Sequence, residues 1–279
     1  MPRTLLLTCV AMLAFAANSL LARAALAGGG IDAASFTAIR IVSGAVALAA
    51  LLAAQGRRAE RPGSWTSGGA LLGYALAFSF AYLRLGAATG ALILFASVQG
   101  GMILWGVMHR DRPTGVELAG LTIAFAAFVW LLLPGLQAPD PLGSGLMMLS
   151  GLSWAVYTVR GRGTGDPLAD TAGNFVRAAI LCAPLAALPW LGGHADRPGI
   201  VLAVVSGVVT SGLGYAIWYR AQPGLSTTQA ATVQLTVPMI AALGAALLLG
   251  EALTLRLVTT SACILGGVAI AIVSNRRRR

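Results

Sequence analysis

The sequence contains no lysine, only nine acidic residues, two histidines and three cysteines, and 10% of its 279 residues are charged. A water-soluble domain of this length would carry about 25% charged residues, so that class is excluded. Cys9, Cys182 and Cys263 stand singly in apolar stretches, without a close pair or metal-ligand spacing, and read as small hydrophobes. His109 and His194 fall in separate loops with no second ligand nearby. No metal and no cofactor is therefore expected. The clustered Ser/His or His/Asp constellation of a membrane-embedded enzyme is also missing.

What the sequence has is apolar length: 57% of residues are hydrophobic and the mean hydropathy is +0.82. A chain of this composition has lipid as its solvent, where every backbone amide needs an internal partner and only helices or closed barrels suffice. Barrels show short alternating segments, whereas these runs are long and continuous. The fold class expected is an all-α integral membrane protein. With glycine, proline and charge as punctuation, ten transmembrane helices are predicted. Five lie near 4–27, 33–54, 65–85, 88–108 and 115–134, and five near 143–160, 169–190, 199–219, 224–249 and 255–274. The first apolar run, of about 20 residues behind Arg3, suits a span better than the shorter core of a signal peptide.

The net charge of +10 would point to nucleic acid in a soluble protein. Here all 19 cations are arginines, most of them between apolar runs, so topology accounts for them and no nucleic-acid partner is expected. With the N-terminus inside, thirteen arginines fall on the cytoplasmic side: Arg3, Arg57, Arg58, Arg61, Arg110, Arg112, Arg160, Arg162, Arg220 and residues 276–279. Only Arg23, Arg84, Arg197 and Arg256 fall outside. This positive-inside bias puts both termini in the cytoplasm, in a bacterial-type cytoplasmic (inner) membrane.

The remaining two, Arg40 and Arg177, lie within helices and expose an internal repeat. Sliding the chain by 137 positions sets Phe36 and Arg40 against Gly173 and Arg177, and Tyr82 on Tyr219. A shift of 140 sets Asp111 and Thr114 on Glu251 and Thr254. Residues 1–137 and 138–279 are thus expected to be two five-helix repeats. Five is odd, so the second would be inverted, the arrangement of alternating-access transporters.

Several polar and aromatic residues lie in the predicted spans. Helix one carries Asn18 and Ser19, and its counterpart, helix six, carries Trp154 and Tyr157 on one face. Tyr215, Trp218 and Tyr219 form a stripe in helix eight, with Phe78 and Tyr82 as weaker candidates in helix three. Helix four holds Ser97 and Gln99 before Gly100 and Gly101. Helix nine holds Thr228, Thr232, Gln234, Thr236 and the helix-breaking Pro238, and at a shift of 137 Gln99 meets Thr236 and Gly101 meets Pro238. Polar groups and helix breakers at matched depths point to a substrate site. Interfacial anchoring and helix packing use the same residue types. Arg40 and Arg177 are a carboxylate-binding or gating charge on one reading. On the favoured one they are structural, paired with a loop acid or carbonyl or snorkelling to the interface. All nine acids fall in loops or first turns, which argues against proton coupling through a membrane carboxylate.

The two-half layout, Trp154-x-x-Tyr157, Tyr215-x-x-Trp218, Thr236-Val237-Pro238 and Gly250-Glu251-x-x-Thr254 together resemble the ten-helix, EamA-type permeases of the drug/metabolite transporter superfamily, over essentially the whole chain. The aromatic face is most similar to that of the family's aromatic amino acid exporters. The first half departs from the pattern, with Gln99-Gly100-Gly101 where a proline is frequent and Asn18 where an aromatic is common. The superfamily's small multidrug branch uses a glutamate in its first helix, and Leu5 to Leu21 contain no acid.

The resemblance implies a central cavity between helices one, three, four, six, eight and nine that opens to alternate sides. The expected function is export of small metabolites, amino acids including aromatic or large apolar ones, without proton coupling and without bond chemistry. Trp154, Tyr157, Tyr215 or Trp218 would meet the ammonium, and Asn18, Gln99 or Thr232 the carboxylate. A neutral or cationic drug-like cargo in the same fold is the alternative. The partners are that small molecule and the lipid bilayer.

Overall fold

The computed structural model describes residues 2–57, 63–108, 115–133, 135, 138–161, 166–186, 193–225 and 233–276. Among these the architecture is all helical, with ten helices. The first five are α1 (Pro2–Ala27), α2 (Ala33–Ala54), α3 (Trp65–Tyr82), α4 (Ala87–Met108) and α5 (Gly115–Leu132). Then follow α6 (Pro141–Arg160), α7 (Pro167–Ala186), the composite rod α8, α9 (Thr236–Leu248) and α10 (Leu255–Arg276). The rod α8 is α-helical over Arg197–Val205, π-helical over Ser206–Leu213 and α-helical again over Gly214–Ala221.

The acids that the sequence places outside the spans include the residues that start these helices. Asp32 accepts from the amides of Ala34 and Ser35 at α2, Asp140 from Gly143 at α6, and Asp196 from Gly199 at α8. Asp166 accepts from Ala169 at the start of α7. Each capping oxygen satisfies an amide that has no partner within its helix. Pro141, Pro167 and Pro198 sit in first turns, where their missing N–H costs nothing.

Among the described residues six helices are long and apolar enough to cross a membrane: Arg3–Ala27, Ala33–Ala54, Ala87–Gly106, Gly115–Leu132, Pro141–Arg160 and Arg197–Gly224. Two shorter apolar helices, Thr236–Leu248 and Leu255–Ile270, accompany them. Among the described residues α3 and α7 fall below that mark because they carry more polar side chains. Helix α3 is enclosed by α1, α2, α6 and α7, and Ser67, Tyr74 and Ser79 are buried on it. Helix α7 carries Asp170, Asn174 and Arg177. A helix surrounded by protein needs no continuous apolar surface, and its polar groups find partners that lipid would not supply.

Packing runs mainly between the first five helices and the last five. Helix α2 packs on α7, α5 on α10, and α4 on α9. Helix α3 packs on α6 and α7, α4 on α6, and α1 on α8 and α9, while α2 lies on the π-helical part of α8. That last contact is close because it is made by glycines: a Cβ on Gly207 would overlap the Ser43 hydroxyl and the Arg40 carbonyl. The outer surface keeps large apolar side chains exposed, among them Leu13, Val46, Phe125, Leu149, Val201 and Leu243, as a bilayer requires.

Ion pairs and backbone bonds tie the two ends of the bundle. At the end holding the α1–α2, α3–α4, α7–α8 and α9–α10 junctions, Arg23 pairs with Glu251 at 3.2 Å and donates to the Tyr82 carbonyl at 2.9 Å. Glu251 also accepts from the Ala87 amide at 2.8 Å. Beside them Asp32 and Gly30 bond the backbone of His194 and Asp196, and Arg84 pairs with Asp140. At the opposite end Arg57 pairs with Asp166, and Asn174 accepts from the Ser64 amide at 2.9 Å. At Asp32, burial works to raise the carboxyl pKa, but hydrogen bonds from Ser35, Ala34 and His194 outweigh it and hold the group below its ordinary value.

Candidate functional site

A polar network runs through the centre of the bundle. Asn18 of α1 accepts hydrogen bonds from Ser206 at 2.7 Å and Thr210 at 3.1 Å, both on α8. Its amide nitrogen faces the Tyr74 hydroxyl of α3 at 3.4 Å. That hydroxyl also accepts from Arg40 Nη2 of α2 at 3.0 Å, and Arg40 Nε donates to Ser211 of α8 at 3.0 Å. The π-helical stretch of α8 supplies all three hydroxyls, Ser206, Thr210 and Ser211. Local π-turns recur at functional sites because they redirect side chains that a regular helix would turn away.

Aromatic rings surround this network. Tyr74 packs on Phe78 at 5.4 Å and on Trp154 at 4.9 Å, and Trp154 meets Tyr215 at 5.0 Å. Phe15 packs edge-on against Tyr215 at 5.8 Å and Trp218 at 6.1 Å. The rings and the network enclose a small cavity lined by Phe15, Asn18, Ser19, Tyr74, Phe78, Leu94, Phe95, Trp154, Thr210 and Tyr215. It leaves about 20 Å³ for the centres of water molecules, room for one or two waters. An amino acid does not fit until the walls part.

Of the residues the sequence nominated, Asn18, Phe78, Trp154 and Tyr215 line the cavity. Tyr157 stacks behind Trp154 at 5.3 Å, Trp218 lies behind Phe15, and Tyr82 supports Phe78 at 4.7 Å. These three form an outer layer to the wall. Gln99 is buried on α4, one turn beyond Phe95. Pro238 is the third residue of α9, after a turn at Leu235, where a missing N–H removes no bond within the helix. Thr232 and Thr228 lie outside the described residues.

The two intramembrane arginines stand in different surroundings. Arg177 is partly exposed, donates to the Gly173 carbonyl of its own helix and lies over the Trp65 ring at 5.5 Å. Arg40 is 1% exposed and, among the described residues, forms no ion pair with a loop acid. About 11 Å of helix separates it from the start of α2, and its head group bonds the hydroxyls of Ser211 and Tyr74. Its guanidinium carbon lies 4.9 Å from the Phe78 centroid and 5.2 Å from that of Tyr74.

Sequence reasoning missed Phe15, Tyr74 and the hydroxyls of α8. A signal existed for Tyr74: with Phe78 and Tyr82 it makes an i, i+4, i+8 stripe on one helical face. Ser206 and Thr210, four apart, share a face as on a regular helix, while Ser211 joins them in the π-helical stretch.

A polytopic helical bundle with an aromatic and hydrogen-bonding cavity at its centre, walled by helices from both ends of the chain, is the architecture of a small-molecule carrier. The sequence profile of the EamA-like transporter family matches residues 141–273. An uncharacterised protein of Pseudomonas aeruginosa is 52% identical over 274 residues, covering 96% of this chain and 94% of that protein. Two uncharacterised transporters of Archaeoglobus fulgidus are 28% and 29% identical, over 61% and 63% of this chain and 62% and 63% of their own. A crystal structure of a protein 19% identical in sequence superimposes with a TM-score of 0.69, over 98% of this chain and 99% of that one, and so shares the fold. The chain belongs to the EamA-like transporter family of the drug/metabolite transporter superfamily. It is a multi-pass membrane protein whose function is transport rather than bond chemistry.

Proposed function

We propose that this transporter exports amino acids, including aromatic or large apolar ones, across a bacterial-type cytoplasmic membrane by alternating access through the central cavity. The observation that carries the reading is the cavity itself, where the faces of Phe15, Phe78, Trp154 and Tyr215 stand around the Asn18–Tyr74 hydrogen bond. An apolar side chain suits the ring faces, and a zwitterionic head group suits the polar network.

Alternating access needs two bodies. Residues 1–137 and 138–279 serve as those bodies, with both termini in the cytoplasm. Exchanging α1–α5 with α6–α10 turns the α3–α6 contact into α8–α1, α4–α6 into α9–α1, and α2–α8 into α7–α3, all of which occur. That reciprocity is what a pair of related halves produces, and the odd helix number inverts one against the other. Among the described residues every acid stands at a helix end or junction, which supports facilitated flux without proton coupling.

The test is flux of labelled phenylalanine, tryptophan and leucine into proteoliposomes that hold the purified full chain, with and without imposed ion gradients. Equilibrative uptake is expected, lost in Trp154→Ala with the protein still monodisperse. Absence of amino acid flux overturns the substrate class, and uptake stoichiometric with a pH gradient overturns the coupling.

A further inference from the structure

We infer that Arg40 is the anion-binding group of the transport site, so that the cargo is recognised through a carboxylate and an α-ammonium is dispensable. This rests on the transport reading above and deepens it by assigning the chemistry of the head group.

The guanidinium is bordered by the neutral side chains of Ser211, Tyr74, Phe78 and Tyr215. Nε donates to Ser211, Nη2 to Tyr74, and the faces of Tyr74 and Phe78 cover it, while Nη1 is buried with no hydrogen-bond partner. Arginine does not deprotonate in a protein, so a full positive charge sits here. Isolation of such a charge at membrane depth is costly unless an anion meets it.

Among the described residues, none of the acids near α2 supplies that anion. Asp32, two turns away on the same helix, is satisfied by Ala34, Ser35 and His194. On the neighbouring helices, Asp170 of α7 accepts from Gly63 and Asp196 caps α8, while α1 and α3 carry no acid. Arg23, Arg57 and Arg84, by contrast, each have a carboxylate of the protein.

Arg40 is also placed to be reached. Tyr74, Phe78 and Tyr215 line the cavity, and the same three side chains adjoin the guanidinium, so one layer of side chains separates Nη1 from the cavity. The group also joins Tyr74 of the first five helices to Ser211 of the last five. When the walls part to admit a cargo, Nη1 and Nη2 become the end-on fork that receives a carboxylate, and Nη2 gives up only a neutral hydroxyl. A single buried arginine suits a monoanion; phosphate would call for several. Asn18, the sequence candidate for the carboxylate, offers only a neutral amide donor, and that nitrogen already faces the Tyr74 hydroxyl. An ammonium beside Arg40 meets like charge, so removal of it does not weaken binding.

The experiment compares compounds that share an apolar tail and differ in head group, with the full chain in proteoliposomes. The phenyl series is L-phenylalanine, 3-phenylpropionate and 2-phenylethylamine, and the isobutyl series is L-leucine, 4-methylpentanoate and isoamylamine. The expected result is that each carboxylate inhibits labelled-cargo flux at least about tenfold more strongly than the matching amine, with the desamino acid no weaker than the amino acid. Arg40→Gln removes that preference, with monodispersity as its folding control. If it fails to fold, the head-group comparison on the native chain decides by itself. Equal potency of amine and carboxylate overturns the inference, as does an undiminished carboxylate preference in Arg40→Gln. Transport of desamino acids but not of amino acids upholds the Arg40 site while refuting the amino acid reading. Binding by no carboxylate of either series overturns the Arg40 site.

Discussion

Glu251 offers the sharpest test of how the cavity is closed. Its carboxylate accepts from Arg23 Nε at 3.2 Å and from the Ala87 amide at 2.8 Å, and Arg23 in turn holds the Tyr82 carbonyl. Four places are thereby fastened at one end of the bundle: α1, the end of α3, the start of α4 and the α9–α10 junction. Parting of the first five helices from the last five at that end must break the Glu251 bonds. Hydrogen bonds to a charged group contribute about 1.5–3 kcal/mol each. Arg23 and Glu251 are 24% and 20% exposed, so water partly replaces what is lost and the lower figure applies. Glu251→Gln keeps one acceptor oxygen and removes the charge, a loss of about 1.5 kcal/mol; Glu251→Ala removes both bonds, about 3 kcal/mol. At about 1.4 kcal/mol per factor of ten, the closed-to-open ratio at this end falls roughly tenfold and roughly a hundredfold.

The assay is reaction of Ser19→Cys, in the cavity wall, with a membrane-impermeant maleimide from the side bearing Glu251, in a chain with Cys9, Cys182 and Cys263 changed to alanine. Labelling is expected to accelerate in the order native, Glu251→Gln, Glu251→Ala. Equal rates in all three would refute the assignment of Glu251 to closure at this end.

Two further outcomes follow from the packing. Gly207→Ala places a methyl group against the Ser43 hydroxyl and the Arg40 carbonyl, and should lower stability by about 1–3 kcal/mol; an unchanged thermal midpoint in detergent would show that α2 and α8 are not tightly apposed. The Asp32 carboxyl is depressed in the folded chain, so its contribution is complete above the ordinary value of 3.8 and is lost as pH falls through the lower folded value. Asp32→Asn keeps a capping oxygen, so its thermal midpoint should lose the part of the acid dependence due to this group while neutral-pH stability changes by less than about 1 kcal/mol. An identical acid limb in the two proteins would exclude Asp32 as a contributor.

The membrane class and most helix boundaries were legible because lipid imposes length and continuity on any single span; the ninth helix, expected from 224, is the exception, with Leu225 extended and α9 starting at Thr236. Predicted starts such as 33, 65 and 115 coincide with α2, α3 and α5, since glycine, proline and capping acids act within a turn. Trp154 and Tyr215 were legible as candidates because large polar aromatics in a span need partners. Arg40 shows where sequence stopped. The cost of a charge in lipid marked it as important, but whether it met an acid, a carbonyl or the interface depended on α3 and α8, residues 34 and 171 positions away in the chain. Tyr74, Ser206, Thr210 and Ser211 became a site only through tertiary contact, the last three from a π-helical stretch. Sequence alone determined a ten-helix membrane chain, because solvent acts on each segment separately. The tertiary structure decided which polar groups meet at its centre, because hydrogen bonds and ring contacts are made between segments.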